Sequence, residues 1–461
     1  MCESKGKQRV IILGSGYAGL IVAKRLDKMT DINIELTLID ASSQVELIQH
    51  AHLVAGGIKE EEEARFPIDK IIANTSIKFI QSYVHAVKAE EMLVVLQSKQ
   101  VPFDLLIVAL GAKTNPFGIE GIERYGFTLR SIDDALKIKT KIKQIVKESD
   151  DGNRNNEKKL KDKNDSKDIV IVGGGPTGVG IAGTLAELLD RLGKRDKIKI
   201  KVVTASETIL SKMDKTMINE AMTILKRKDI EIIPGSLVTD LDKDKILLKD
   251  GKHILSSMTI WTPGVIGYDL RFEPEIDKTR DGRIVVNEFC QIKDYPEIFC
   301  IGDIGAIIDS SGSIKDATLG QTAISEAIYL ASIIPEIIAG KKPQKKFRYE
   351  PPYNILPMGS DDYIGTIGGL LIKDDTAKIV REFRNESFER EIFMDKTIIN
   401  DVLYKDDPLA NILLGISIGS VISNVDELPD QDNDYGNNHI GKKIKEIVNE
   451  TKEVTENITD P

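Results

Sequence analysis

The chain has 461 residues, too many for one hydrophobic core, so two or three domains are expected. A net charge of −10 argues against nucleic acid as a partner, and no apolar run reaches the roughly 20 residues of a spanning helix. Three cysteines without CxxC spacing (Cys2, Cys290 and Cys300) fit a reducing compartment and exclude dithiol chemistry.

The polar residues 1–9 lead straight into an apolar strand at 10–13, leaving no room for a signal peptide, so a cytoplasmic protein is expected. Gly14-Ser15-Gly16-Tyr17-Ala18-Gly19 follows, then a helical pattern and a second strand ending at Asp40. The acidic run 60–63 reads as a solvated helix face, and residues 104–112 are another buried-strand run that stops at glycine. Between 147 and 167 the composition turns to Asp, Asn, Lys and Glu, which cannot bury a core and predicts a charged flexible loop. A second strand–turn–helix then opens at 168, with Gly173-Gly174-Gly175-Pro176-Thr177-Gly178 after the apolar run 169–172. Its second strand spans 198–204, and the unit closes at Trp261-Thr262-Pro263-Gly264. A short buried strand ends in Gly302-Asp303, and a helix is predicted over 319–339. Short strands fill 346–400, with turns at Gly359-Ser360-Asp361-Asp362 and Asp374-Asp375. An apolar helix is predicted over 407–422 and a polar tail from 426, with a short helix at 442–455.

The two glycine-rich turns carry the chemistry. In each, the first glycine permits the tight turn, the second lets backbone approach a pyrophosphate, and the third lets helix pack close to strand. The helix N-terminus then offers unpaired N–H groups and a positive dipole end to the phosphates. Asp40 stands where an acid accepts both hydroxyls of an adenosine ribose, and Asp303 where a carboxylate can hold ribityl hydroxyls. Two such turns suggest two dinucleotides, the layout of a flavoprotein that takes hydride from a nicotinamide. The five histidines (His50, His52, His85, His253 and His439) show no metal-ligand spacing, and His50 and His52 read as structural. Cys290 and Cys300 read as core thiols.

In order, these segments resemble the pyridine nucleotide–disulfide reductase superfamily, and within it the type II NADH:quinone oxidoreductases and apoptosis-inducing-factor-like flavoproteins. The likeness runs over residues 8–420 and is strongest at 173–179 and 260–265. It implies an α/β fold of two Rossmann-like domains, the second inserted into the first, with a small C-terminal α/β region. The expected boundaries are 1–146 and 266–340 for the FAD-binding domain, 147–167 for the charged loop and 168–265 for the NAD(P)H-binding domain. A C-terminal interface or membrane-docking region follows at 341–425, with a polar tail at 426–461. The resemblance further implies FAD held by Gly14, Ser15, Gly16, Tyr17, Ala18, Gly19, Asp40, Gly111, Gly302 and Asp303. NAD(P)H, as co-substrate, would face Gly173, Gly175, Gly178 and Gly264. Tyr17 would lie near the flavin ring and Gln321 on the quinone side, as the catalytic candidates. Hydride would pass from the nicotinamide to the flavin and two electrons onward to a quinone or other small acceptor. Alternatives keep FAD but change the donor to sulfide or ferredoxin, or make the chain a low-turnover flavin-bearing interaction protein.

Three positions depart from the family pattern. Gly180 replaces a glutamate after the second turn, Thr204 replaces the acid of the second nucleotide strand, and Gly320-Gln321 keeps one of two glutamines. A neutral hydroxyl makes no charge-assisted ribose bond, and no arginine follows closely to hold a 2′-phosphate, so weak coupling to NADH is expected. The apolar segment 407–422 is too short to cross a bilayer but suits docking to the inner face of the cell membrane. A homodimer is the remaining partner expectation.

Overall fold

A computed structural model describes residues 6–151, 168–309, 312–314, 318–348, 353–367 and 370–393. The segment 407–422, the tail from 426 and most of the expected loop 147–167 lie outside the described residues. The chain forms two compact units, one within Met1–Ile48, Glu61–Asn115 and Gly264–Pro351, the other within Gln49–Glu60, Pro116–Pro263 and Pro352–Pro461.

The first unit opens with strand β1 (Gln8–Leu13), helix α1 (Tyr17–Asp27) and strand β2 (Ile34–Asp40), followed by β3 (Lys78–Gln81) and β4 (Leu105–Val108). The apolar runs are buried on both faces, the pattern of a parallel sheet covered on both sides. The chain then passes through the second unit as β5 (Gly126–Phe127), α2 (Ile132–Asp151), β6 (Ile169–Val172), α3 (Pro176–Arg191), β7 (Ile200–Val203), β8 (Ile230–Ile233) and β9 (Met258–Trp261). Back in the first unit it adds β10 (Gln291–Ile292), β11 (Tyr295–Cys300) and α4 (Gly320–Ile338). Three further strands, β12 (Tyr353–Pro357), β13 (Tyr363–Ile367) and β14 (Leu370–Lys373), and helix α5 (Asp374–Phe393) complete the described part of the second unit.

The first sheet has the order β10-β11-β4-β1-β2-β3, parallel except for β10. The second, β5-β9-β6-β7-β8, is wholly parallel. In both, the glycine-rich turn leaves the end of a central strand whose neighbours on either side point the same way. That is the end of a parallel sheet where ligands bind. The small C-terminal sheet β12-β13-β14 is antiparallel.

The second unit begins earlier in the chain than composition implies. Residues 147–151, expected in a charged loop, are the last turn of α2, whose Ile138, Ile142 and Ile145 are buried at helical spacing. Ser131 starts this helix, its Oγ accepting the Asp134 N–H at 3.0 Å. Glu60 and Glu61 of the acidic run are ion-paired, with Lys139 and Arg65. The chain does turn at Asp374-Asp375, with Asp374 at φ +53° directly after β14, but the residues that follow form helix α5 rather than the expected short strands, and the two carboxylates suit the positive end of its dipole.

No described helix is long and apolar enough to cross a membrane.

Two glycine-rich turns as the candidate functional site

The first turn is built from β1, α1 and β2. Gly14 takes φ +100°, and a Cβ there would stand 2.4 Å from the Ala109 carbonyl oxygen. A Cβ on Gly19 would stand 1.9 Å from the Gly14 carbonyl oxygen, so this glycine lets α1 close onto its own turn. Gly16 between them differs: its backbone is in a conformation any residue adopts (φ −72°), it is exposed, and an added Cβ meets nothing within 4 Å. Two glycines are therefore explained by chain packing, and the third by open space at the head of a helix. No side chain caps that helix and no acid occupies its first turn. An uncapped N-terminus under an open glycine fits a pyrophosphate.

Asp40 at the end of β2 is tied into this turn. Its Oδ2 accepts the Ser15 N–H at 2.6 Å and the Ser15 hydroxyl at 2.8 Å, and its Oδ1 accepts the Ser42 N–H at 2.8 Å. The carboxylate is thus oriented by the loop it serves, with lone pairs remaining for ribose hydroxyls. Tyr17, half-buried, begins α1. A Cβ on Gly320 would stand 3.2 Å from two of its ring carbons, so the ring lies against the start of α4, beside Gln321 in the chain.

Gly302 stands at the end of the β11 segment with φ +73°. A Cβ there would sit 3.6 Å from both Ala18 of α1 and Ala323 of α4, and its N–H donates to Glu326 Oε2 at 2.5 Å. Glu326 is 2% exposed and acts as the internal post that sets the Gly302-Asp303 turn. Sequence reasoning passed over it, yet a lone acid on the buried face of a helix (Thr322, Ala323, Glu326, Ala327, Leu330) was a visible signal. Gly111, at φ +71°, follows β4, and a Cβ there would meet nothing within 4 Å; the Gly264 carbonyl accepts the Asn115 N–H at 3.1 Å.

The second turn repeats the first. Gly173 takes φ +117° with a Cβ position 2.7 Å from Thr262 backbone atoms, a Cβ on Gly178 would stand 1.9 Å from the Gly173 carbonyl oxygen, and one on Gly175 would meet nothing within 4 Å. Pro176 occupies the first turn of α3, which again lacks a side-chain cap. Thr262, also missed as a contributor, fixes the turn by donating its hydroxyl to the Val172 carbonyl at 3.0 Å. Gly180 is buried, and a Cβ there would be 3.0 Å from the Pro357 carbonyl oxygen; at Gly183 the Met358 carbonyl oxygen would be 1.8 Å away. Backbone at the last residue of β12 thus crowds a side chain at 180, which gives the departure from the family pattern a packing cause.

His50 and His52 belong to neither turn. His50 Nε2 lies 3.6 Å from Glu389 Oε1 of α5. Burial pushes the His52 imidazole down to about 3, with help from Arg381 and His50. Cys290 and Cys300 are buried and not disulfide-bonded.

The sequence profile of the pyridine nucleotide-disulphide oxidoreductase family matches residues 8–327. The chain is 26% identical over 389 residues to the type II NADH:quinone oxidoreductases of Staphylococcus saprophyticus and Staphylococcus aureus, an overlap of 82% of this chain and 94% of theirs. Among solved structures, NDH2 from Plasmodium falciparum in complex with NADH matches with a TM-score of 0.73 at 18% identity, over 86% of this chain and 99% of its own. The sulfide:quinone oxidoreductase of Aquifex aeolicus matches with a TM-score of 0.70 at 17% identity, over 86% and 96%. These structural likenesses bear on the fold, a mixed α/β architecture with Rossmann-like sheets.

Proposed function

The chain belongs to the pyridine nucleotide-disulphide oxidoreductase family, and from that premise we propose that it passes electrons from NAD(P)H through FAD to a quinone. The observation that carries the reading is the repetition of one local design. Each parallel sheet ends in a turn with two glycines closed against backbone and one open at an uncapped helix N-terminus. The staphylococcal relatives, named for NADH and quinone, supply the donor and acceptor class.

In this reading Gly14, Ser15, Gly16, Ala18 and Gly19 seat the FAD pyrophosphate on α1, and Asp40 accepts the adenosine ribose hydroxyls. Gly302 and Asp303 hold the ribityl chain, with Gly111 beside it. Gly173, Gly175, Gly178 and Gly264 face the pyridine nucleotide. Bound flavin supplies the two-electron chemistry, and the chain supplies binding, alignment and exclusion of water. Tyr17 and Gln321 are assigned to the flavin and quinone side. With Cys290 and Cys300 only 0% and 1% exposed, donor chemistry through an accessible thiol is disfavoured.

Docking to the inner face of the cell membrane through 407–422 and assembly as a homodimer complete the proposal. Steady oxidation of NADH on adding a soluble quinone tests it; a flavin-loaded protein with no quinone-dependent turnover would point to another acceptor or to the low-turnover alternative.

A further inference from the structure

We propose that the second nucleotide site does not distinguish NADPH from NADH, and that Thr204 is the residue responsible. The inference rests on the reading of 173–178 as a pyridine-nucleotide turn.

An internal comparison carries it. After β1 the Gly14 N–H donates to the Ile39 carbonyl at 2.8 Å and Asp40 follows; after β6 the Gly173 N–H donates to the Val203 carbonyl at 2.8 Å and Thr204 follows. Strand registers agree, with Leu13 opposite Ile39 and Val172 opposite Val203. The next turn agrees as well. Asp40 Oδ1 accepts the Ser42 N–H at 2.8 Å, and Thr204 Oγ1 accepts the Ser206 N–H at 3.3 Å. Position 204 is therefore the structural counterpart of position 40, with a buried, neutral threonine where the first turn has a half-buried carboxylate.

The neighbour has changed with it. Ser15, which grips the Asp40 carboxylate through its N–H and hydroxyl, is replaced by Gly174. A Cβ on Gly174 would stand 3.0 Å from both Cβ and Oγ1 of Thr204. Threonine fills this flank, and no hydroxyl at 174 remains to orient an acid.

A carboxylate at this strand end does two things: it accepts the ribose hydroxyls of NADH and repels the 2′-phosphate of NADPH. Thr204 removes both effects. Residues 205–213 contain no arginine to reward the phosphate, and their exposed charges, Glu207 and Lys212, are of opposite sign. Glu207 lies toward the next strand end, its carboxylate 3.6 Å from where a Cβ on Gly235 would stand.

The test uses the full-length, FAD-loaded protein with two readouts. Anaerobic flavin reduction is followed with NADH and with NADPH, and redox-inert ADP-ribose and 2′-phospho-ADP-ribose are titrated calorimetrically. Wild type should bind the two ADP-ribose forms within about 10-fold of each other, and Thr204→Glu should shift the ratio toward the unphosphorylated form by roughly 100-fold. Thr204→Asp, a smaller change at this buried position, should shift it the same way. A wild-type preference above roughly 100-fold for either form overturns the proposal, as does an unchanged ratio in a folded Thr204→Glu protein. If that preference disappears in Glu207→Gln, selection belongs to Glu207 instead. Failure of both nucleotides to bind or to reduce the flavin would count against the turn as a nucleotide site, a different result from a strong preference.

Discussion

Two glycines of the first turn, Gly16 and Gly19, should separate cleanly under the same small substitution. Gly16→Ala adds a methyl where nothing lies within 4 Å, on backbone at φ −72° that alanine adopts. Apoprotein stability should change by less than about 1 kcal/mol, since the lost N-cap glycine and the lowered unfolded-state entropy pull in opposite directions. The FAD pyrophosphate, however, needs that space. Displacing it from one or two N–H donors at about 1.5–3 kcal/mol each predicts a loss near 3 kcal/mol, or about 100-fold in affinity. Gly19→Ala drives the methyl to 1.9 Å from the Gly14 carbonyl oxygen and should destabilise the apoprotein itself. Thermal melts of deflavinated protein report the first effect, and FAD fluorescence titration the second. A Gly16→Ala protein that binds FAD like wild type, or melts as early as Gly19→Ala, would refute the assignment of the open glycine to a phosphate.

Lys228 Nζ bridges Glu187 and Asp362 at 2.7 Å each, with all three side chains at most 15% exposed, so Lys228→Met should cost about 3 kcal/mol in urea unfolding. Burial raises the Asp362 carboxyl, but Lys228 and Arg227 outweigh it and hold it below the ordinary 3.8. The associated stability is present above that value and is lost as pH falls through the depressed one; in Lys228→Met, where Arg227 still pairs with Asp362, this loss on acidification should be smaller than in wild type. His52, pushed down from 6.5 to about 3 with Nε2 sealed and unbonded, contributes stability that is present above pH 6.5 and lost toward pH 3. His52→Leu should flatten that part of the pH–stability curve, and an unchanged slope in thermal melts would contradict the burial argument. Gly183→Ala, with its methyl 1.8 Å from the Met358 carbonyl oxygen, should cost at least about 1–3 kcal/mol and expose the β12–β14 sheet to proteolysis.

Both glycine turns were legible in the sequence because their signals are local: a short apolar run, three spaced glycines and a helical pattern. Asp40 and Thr204 were placed correctly at the ends of their strands for the same reason. The supporting residues were not. Glu326 reaches Gly302 across 24 positions, and Thr262 reaches Val172 across 90, distances that pattern reading does not bridge. Composition misplaced the end of α2, since a surface helix shows its charged side to a composition scan while Ile138, Ile142 and Ile145 hold the core side. The two-residue strand Gly126–Phe127, which joins the second sheet, carries no periodicity at all. At Gly180 the missing glutamate was read from sequence, but its cause, the backbone at Pro357, needed the fold.

The central claim is best tested by an anaerobic spectral titration of the purified protein. The protein should carry one non-covalently bound FAD, its visible flavin band should bleach on adding NADH or NADPH, and the band should return when a soluble quinone is added. A flavin that neither nucleotide bleaches, or a protein that cannot take up FAD, would contradict the account.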